Sequence, residues 1–208
     1  MNVQTVELSA NQNALPADTL SPPANIRRLI LTGFMGAGKT TVGRLLADHL
    51  GWEFVDLDAA IESSTGLTVP EIFAAHGEAH FRKLESQALA AALGRKKIVL
   101  ALGGGAPESL TNRLLLEQTP ATATIFLDAP FATLFDRCRM QALDSATASA
   151  AQTRPNLADP VAAEARFVAR QPVYRRLAHH TIDTASLTTE ETVNTLLTRL
   201  HLPRPRRR

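Results

Sequence analysis

The chain contains a single cysteine, Cys138, in 208 residues, which excludes an internal disulfide and any fold that depends on crosslinks. A lone thiol fits a reducing compartment. No run approaches the roughly 20 uninterrupted apolar residues of a membrane span. Residues 1–25 also lack the basic and apolar segments of a secretory signal. These absences give a cytoplasmic location as the expectation. Nor does one residue type dominate: 45% hydrophobic and 20% charged side chains describe an ordinary folded domain, not a disordered or collagenous chain. A chain of this size buries roughly 70% of its unfolded surface, enough for one domain with one sizeable core.

A strong charge of one sign is missing as well. The 22 Lys and Arg residues outnumber the 20 Asp and Glu residues by only +2, although the pI is near 9.0. The imbalance sits at the ends. Residues 1–25 carry Glu7, Asp18 and no base, whereas residues 203–208 carry four arginines and no acid. Between Ile26 and Leu202 acids and bases are equal in number, so any basic patch is local. The expectation is therefore a monomer with neither a nucleic-acid nor a membrane partner. Residues 1–25, rich in Asn, Ser, Thr and Pro, read as a flexible leader, and residues 203–208 as a solvated tail.

What remains, residues 26–202, alternates short apolar runs with longer segments of helical period, the βαβ signature of a parallel sheet covered by helices. Strands are expected at Leu29–Leu31, Phe54–Asp58, Ile98–Leu102, Ala123–Leu127 and Thr181–Asp183. Helices are expected at Gly38–Leu50, Ala79–Leu93, Pro107–Glu117, Pro130–Met140 and Pro160–Ala178, with a last one capped by Thr188 and Glu191. Thr68 and Glu71 form a further capping box, with Pro70 inside the first turn. The stretch 141–159 has no apolar period and reads as a long functional loop.

Gly33-Phe34-Met35-Gly36-Ala37-Gly38-Lys39-Thr40 matches G-x-x-x-x-G-K-[ST] at every fixed position, between a strand and a helix. A chance match is on the order of 1% from average composition. Such a loop turns consecutive backbone N–H groups toward a phosphate at a helix N-terminus, where the dipole also favours an anion. Lys39 reaches the outer phosphates and the Thr40 hydroxyl suits Mg²⁺. The expected cosubstrate is thus a nucleoside triphosphate with magnesium, cradled by Gly36, Ala37, Gly38, Lys39, Thr40 and Thr41.

A phosphate loop does not name a reaction. The Asn-Lys-x-Asp motif of a GTPase is absent. The apolar strand Ile98–Leu102 ends in Gly103-Gly104-Gly105 where an ATPase carries an acid, and Asp128 is a weaker substitute. The acids that stand out are Asp56 and Asp58, two apart on an expected strand and so on one face at its C-terminal end. One can hold hydrated Mg²⁺ while the other positions or deprotonates an attacking hydroxyl.

At these residues the chain resembles the shikimate kinase family, over nearly all of the interval from Arg28 to Leu200. Five ordered motifs carry the resemblance beyond the phosphate loop: Asp56-Leu57-Asp58, Phe81-Arg82-Lys83-Leu84-Glu85, Gly103-Gly104-Gly105, Arg154-Pro155 and Arg170-Gln171-Pro172-Val173-Tyr174. The resemblance implies a three-layer α/β fold with a five-stranded parallel sheet between helices, a mobile lid at 141–159, and ATP- and Mg²⁺-dependent phosphorylation of the shikimate 3-hydroxyl. It implies that Asp58 binds and orients the acceptor, with Asp56 and Thr40 at the metal. Arg82 and Arg170 would grip the shikimate carboxylate, Glu85 would hold Arg82, and Gly103, Gly104 and Gly105 would approach the substrate. Arg154 would act on the transferring phosphoryl group, and Arg137 or Arg139 would lie against adenine. The lid departs from the family's Arg-Pro-Leu-Leu, reading Arg154-Pro155-Asn156-Leu157 after a longer interval.

Two other functions use the same loop. A gluconate or other small polyol kinase gives no reason for Asp56-Leu57-Asp58 beside a two-arginine clamp. A nucleotide-binding regulatory module without catalysis is opposed by Asp58 and Lys39. His76 and His80 have metal-like spacing but do not form His-Glu-x-x-His. His179 and His180 are expected at a helix end, with partial positive charge. Cys138 is expected either to pack in a helix or to be an inert surface thiol.

Overall fold

All five residues of β1 (Arg28–Thr32) are buried: Leu29, Ile30 and Leu31 send apolar side chains to both faces of the sheet, and neighbouring strands flank both edges. In the computed structural model, which describes residues 25–146 and 159–202, this strand is the centre of a five-stranded sheet. The other strands are β2 (Glu53–Asp56), β3 (Ile98–Ala101), β4 (Thr122–Asp128) and β5 (His180–Asp183). Their order is β2-β3-β1-β4-β5 and every pairing is parallel. Ile30 is opposite Leu100 on one side and Thr124 on the other. The C-terminal ends of β1 and β3 therefore open side by side, at the edge where open α/β sheets bind ligands.

The two faces of the sheet bury separate cores. On one, Leu29, Leu31 and Val99 pack with Val42 and Leu46 of α1 (Lys39–Leu50) and with Leu196 and Leu197 of α7 (Thr189–Arg199). On the other, Ile30, Ile98 and Leu100 pack with Ile61 of α2 (Leu57–Thr65), Leu89 and Leu93 of α3 (Val69–Leu93), and Leu116 of α4 (Leu110–Gln118). Two further helices, α5 (Phe131–Ala146) and α6 (Pro160–Leu177), follow β4. This is the expected three-layer α/β fold. Among the described residues, no helix is long and apolar enough to cross a membrane.

Several expected elements shift. The strand expected to run to Asp58 stops at Asp56, whose carboxylate accepts from the backbone N–H groups of Asp58 and Ala59 and so caps a helix, α2, that starts at once. Helix α4 begins at Leu110, capped by Ser109, after a separate 3₁₀ turn at Ala106–Glu108. Helix α5 runs six residues beyond Met140, because Gln141, Ala142 and Leu143 are good helix formers. The expected lid thus loses 141–146 to α5. Asp159, at its other end, caps α6; residues 147–158, with Arg154, and residues 1–24 and 203–208 lie outside the described residues.

The capping boxes at Thr68/Glu71 and Thr188/Glu191 are both present. Gly77 (φ 77°, ψ 174°) breaks α3 between His76 and His80. His179 follows the end of α6 but carries no added positive charge. Burial and the adjacent His180 push its pKa below the usual imidazole value, while its Nδ1 accepts the Thr124 N–H at 3.0 Å.

Core packing gives a direct test. Ile30→Ala removes a side chain with no exposure and lowers unfolding stability by about 2–5 kcal/mol in denaturant titrations. Leu110→Ala, at a site 62% exposed, changes it by less than about 0.5 kcal/mol.

Candidate active site

The phosphate loop leaves β1 and turns against α5. At Gly36 (φ +76°) an added Cβ would lie 2.3 Å from the Leu134 carbonyl oxygen and 3.0 Å from Cys138 Sγ. The loop is thus clamped on the buried side of α5, where Cys138 packs. Lys39, the first residue of α1, donates from Nζ to the carbonyl oxygens of Gly33 and Phe34, both at 2.9 Å. This closes the loop around the space a phosphate takes, and the ammonium can exchange those neutral acceptors for anionic ones. Thr40 Oγ1 donates to Asp56 Oδ2 at 2.9 Å. A hydroxyl and a carboxylate are thereby brought together at the phosphate end, a donor set that suits a hard cation such as Mg²⁺.

A cleft of about 610 Å³ extends from the loop, lined by Gly36, Gly38, Thr41, Arg137, Thr184 and Thr188 among others. Arg137 is held there by bonds from Nη1 to Thr184 Oγ1 (3.2 Å) and from Nη2 to the Thr184 carbonyl (2.6 Å). Arg139 is exposed and lines no part of this cleft. Of the two arginines left open by spacing, only Arg137 faces the cleft.

Asp58 occupies the first turn of α2, so it comes beside Asp56 through helix geometry and not through strand alternation. Burial first, then the Asp56 charge, raises its pKa above the ordinary 3.8, with Lys39 opposing. Its carboxylate lies against Gly103, where a Cβ would sit 2.6 Å from Oδ1. Gly105 is as close to another group: its Cβ would meet Arg82 Nη2 at 2.7 Å. The triple glycine thus lies against Asp58 at one end and Arg82 at the other, and a side chain at either end would have to displace that carboxylate or guanidinium.

Arg82 is fixed by two acids of its own helix. Nη1 donates to Glu85 Oε1 and Oε2 (3.2 and 3.0 Å), while Nε and Nη2 donate to Glu78 (3.3 and 3.1 Å). Burial works against its charge, but Glu85 and Glu78 hold the guanidinium pKa above its ordinary value. Glu85 is 1% exposed and also accepts from Asn112 Nδ2, whose second bond goes to the Ala106 carbonyl. Arg170, on α6, donates from Nη2 to Glu108 at 2.7 Å. Its buried Nε has no hydrogen-bond partner among the described residues. Four residues on, Tyr174 donates to the Gly104 carbonyl at 2.5 Å, and burial pushes its pKa upward, so it stays a donor.

The sequence reading overlooked Asn112, Glu108 and the anchoring role of Tyr174. A buried asparagine on an otherwise apolar helix face was the available signal for the first. Asp128, the weaker acid, accepts from Gln171 (2.9 Å) and Arg175 (3.1 Å), so it ties α6 to β4.

A phosphate loop beside a carboxylate of raised pKa and paired guanidinium groups defines a P-loop phosphotransferase for a small anionic acceptor. A family profile described as "Shikimate kinase" matches residues 35–201. A shikimate kinase of Geobacter metallireducens is 37% identical over 181 residues, covering 86% of this chain and 94% of the relative. One from Symbiobacterium thermophilum is 41% identical over 175 residues, with coverage of 83% and 95%. The solved shikimate kinase of Acinetobacter baumannii, in complex with shikimate, superposes with a TM-score of 0.75 at 35% identity, covering 85% of this chain and 93% of that one. The chain belongs to the shikimate kinase family.

The raised pKa of Asp58 has a consequence for stability. The folded chain holds this proton more tightly than the unfolded chain, so folding is favoured below the raised pKa and loses that contribution as pH rises through it. Asp58→Asn is expected to raise the thermal midpoint at pH 7 by roughly 2–4 °C. The gain shrinks toward zero as the pH falls below about 3.8, where the wild-type carboxyl is also protonated.

Proposed function

We propose that this chain transfers the γ-phosphoryl group of ATP to the 3-hydroxyl of shikimate. The observation that carries the reading is the placement of Asp58, Arg82 and Arg170 around Gly103–Gly105, next to the phosphate loop. In this reading residues 26–202 form the catalytic domain, working as a cytoplasmic monomer without nucleic-acid or membrane partners.

The loop amides and Lys39 hold the triphosphate, and the base lies in the cleft against Arg137. Thr40 would hold magnesium with Asp56 beside it; there the metal supplies charge neutralisation to the phosphates. Arg82 and Arg170 take the acceptor's carboxylate, since guanidinium groups stay charged and bind carboxylates through paired donors. Asp58, at the other end of the glycine segment, then receives the ring hydroxyl. As the new oxygen–phosphorus bond forms, the hydroxyl proton passes to Asp58. The bond to the β-phosphate oxygen breaks, and ADP leaves with its electron pair. A carboxylate of raised pKa suits this task, being a stronger base than an exposed aspartate.

A polyol kinase has no use for two arginines aimed at a carboxylate, and a silent nucleotide-binding module has none for a basic Asp58. ADP release measured with a coupled assay is expected to depend on shikimate and not on gluconate. Asp58→Asn should lower kcat by about 10²–10⁴-fold. ATP binding with no more ADP release from shikimate than from water would refute the assignment.

The clamp makes a separate claim. Arg82→Lys keeps a cation for Glu85 but loses the paired donors, and it should raise KM for shikimate roughly 10-fold or more. KM for ATP should move by less than about threefold; equal losses for both substrates would mean a structural role.

A further inference from the structure

Glu108 stands where neither the sequence motifs nor the proposed reaction calls for an acid. It ends the 3₁₀ turn Ala106–Glu108, directly after the triple glycine. Its Oε2 accepts from Arg170 Nη2 at 2.7 Å and lies 3.9 Å from Arg82 Nη2. An added Cβ on Gly105 would meet this same oxygen at 3.0 Å. One carboxylate oxygen of the chain therefore sits between the two guanidinium groups that, in the reading above, receive the acceptor's carboxylate.

The charges around it set the consequence. Arg82 is already committed to Glu78 and Glu85. With Glu108 in place, two guanidinium groups face three carboxylates, and an incoming anion meets no surplus of positive charge. Glu108 is also an incomplete partner. It reaches Arg170 through one oxygen, and the buried Arg170 Nε stays without an acceptor. A free carboxylate, with two oxygens and no tether, can satisfy donors that Glu108 cannot.

The side chain has room to leave, and its backbone does not have to move. Glu108 is 44% exposed in its side chain. Its main chain is held by the bond from its N–H to the Gly105 carbonyl (2.9 Å) and by Arg113 Nη1 on its own carbonyl (2.9 Å). A rotamer change suffices.

We propose that Glu108 is a tethered stand-in for the acceptor's carboxylate: in the empty site it occupies Arg170 and shields Arg82, excluding small anions, and it yields to the substrate. The inference rests on the shikimate kinase reading and deepens it. Displacing Glu108 costs shikimate and a mineral anion alike, so at a given concentration weakly held anions are kept off the site while shikimate, with its ring contacts, still binds.

The test compares wild type with Glu108→Gln, which is isosteric and uncharged, and with Glu108→Asp, which keeps the charge but shortens the reach. Shikimate binding is followed by calorimetry and turnover by ADP release, with inorganic sulfate as the competing anion. Both variants are expected to bind shikimate more tightly, with Kd and KM lowered about 2- to 5-fold, the scale of one part-exposed ion pair. The change in kcat is expected to be smaller than that in KM. Sulfate should inhibit both variants, competitively with shikimate, at lower concentrations than it does wild type. Unchanged or raised Kd in Glu108→Gln would overturn the proposal, since Glu108 would then support the clamp. So would a gain in Glu108→Gln alone, which would indicate charge acting at a distance and not contact. If wild type binds no shikimate at all, the reading of the whole site falls and this proposal with it.

Discussion

The parallel pairing of β1 with β3 is the constraint from which the site follows. Leu31 is in register with Ala101, so the chain leaves both strands at the same level and two glycine segments emerge in contact. A Cβ on Gly104 would lie 3.8 Å from the Gly33 carbonyl oxygen. One segment is the phosphate loop and the other lies against Asp58 and Arg82, so the register brings these groups to one place. The hydrophobic cores on the two faces keep the strands in that register. Stability of the sheet and alignment of the two loops are in this sense one property.

Buried charge is the second organising fact. Glu85 is almost fully enclosed and would be costly alone, yet Arg82 and Asn112 satisfy it from two helices. The network ties α3 to α4 and fixes the orientation of the Arg82 guanidinium. Asp58 is the opposite case. It is buried near a second carboxylate, with Lys39 and Arg82 offsetting this only in part, and that arrangement costs stability while creating basicity. Burial raises the pKa of both carboxylates, but Glu85 is ion-paired to Arg82 and Asp58 faces Asp56.

Much of this was legible in the chain itself. The phosphate loop announces its geometry because its glycines and lysine act through backbone already defined by the neighbouring strand and helix. Alternation of apolar segments was enough for a parallel sheet, and two Thr-x-x-Glu boxes marked helix starts correctly. The reading failed where one residue had two possible local partners. Asp56 does end a strand, but its side chain also caps α2, and that capping bond moves Asp58 from strand alternation to helix geometry. It failed again where distant segments meet: Glu108 lies 62 positions from Arg170, and Asn112 is 27 from Glu85. No local pattern encodes such pairs. The choice between Arg137 and Arg139 also needed the third dimension, because the face of α5 turned toward the cleft depends on how the helix packs.

Tyr174 is the chain's only tyrosine, and it is the residue that anchors Gly104. Its phenol is enclosed and holds its proton far into alkali. The near-ultraviolet absorbance of tyrosinate is therefore silent while the glycine segment stays in place, and it appears only when Tyr174 is released to solvent. The fold thus carries a built-in optical reporter, sited where the acceptor would bind and free of interference from any second tyrosine.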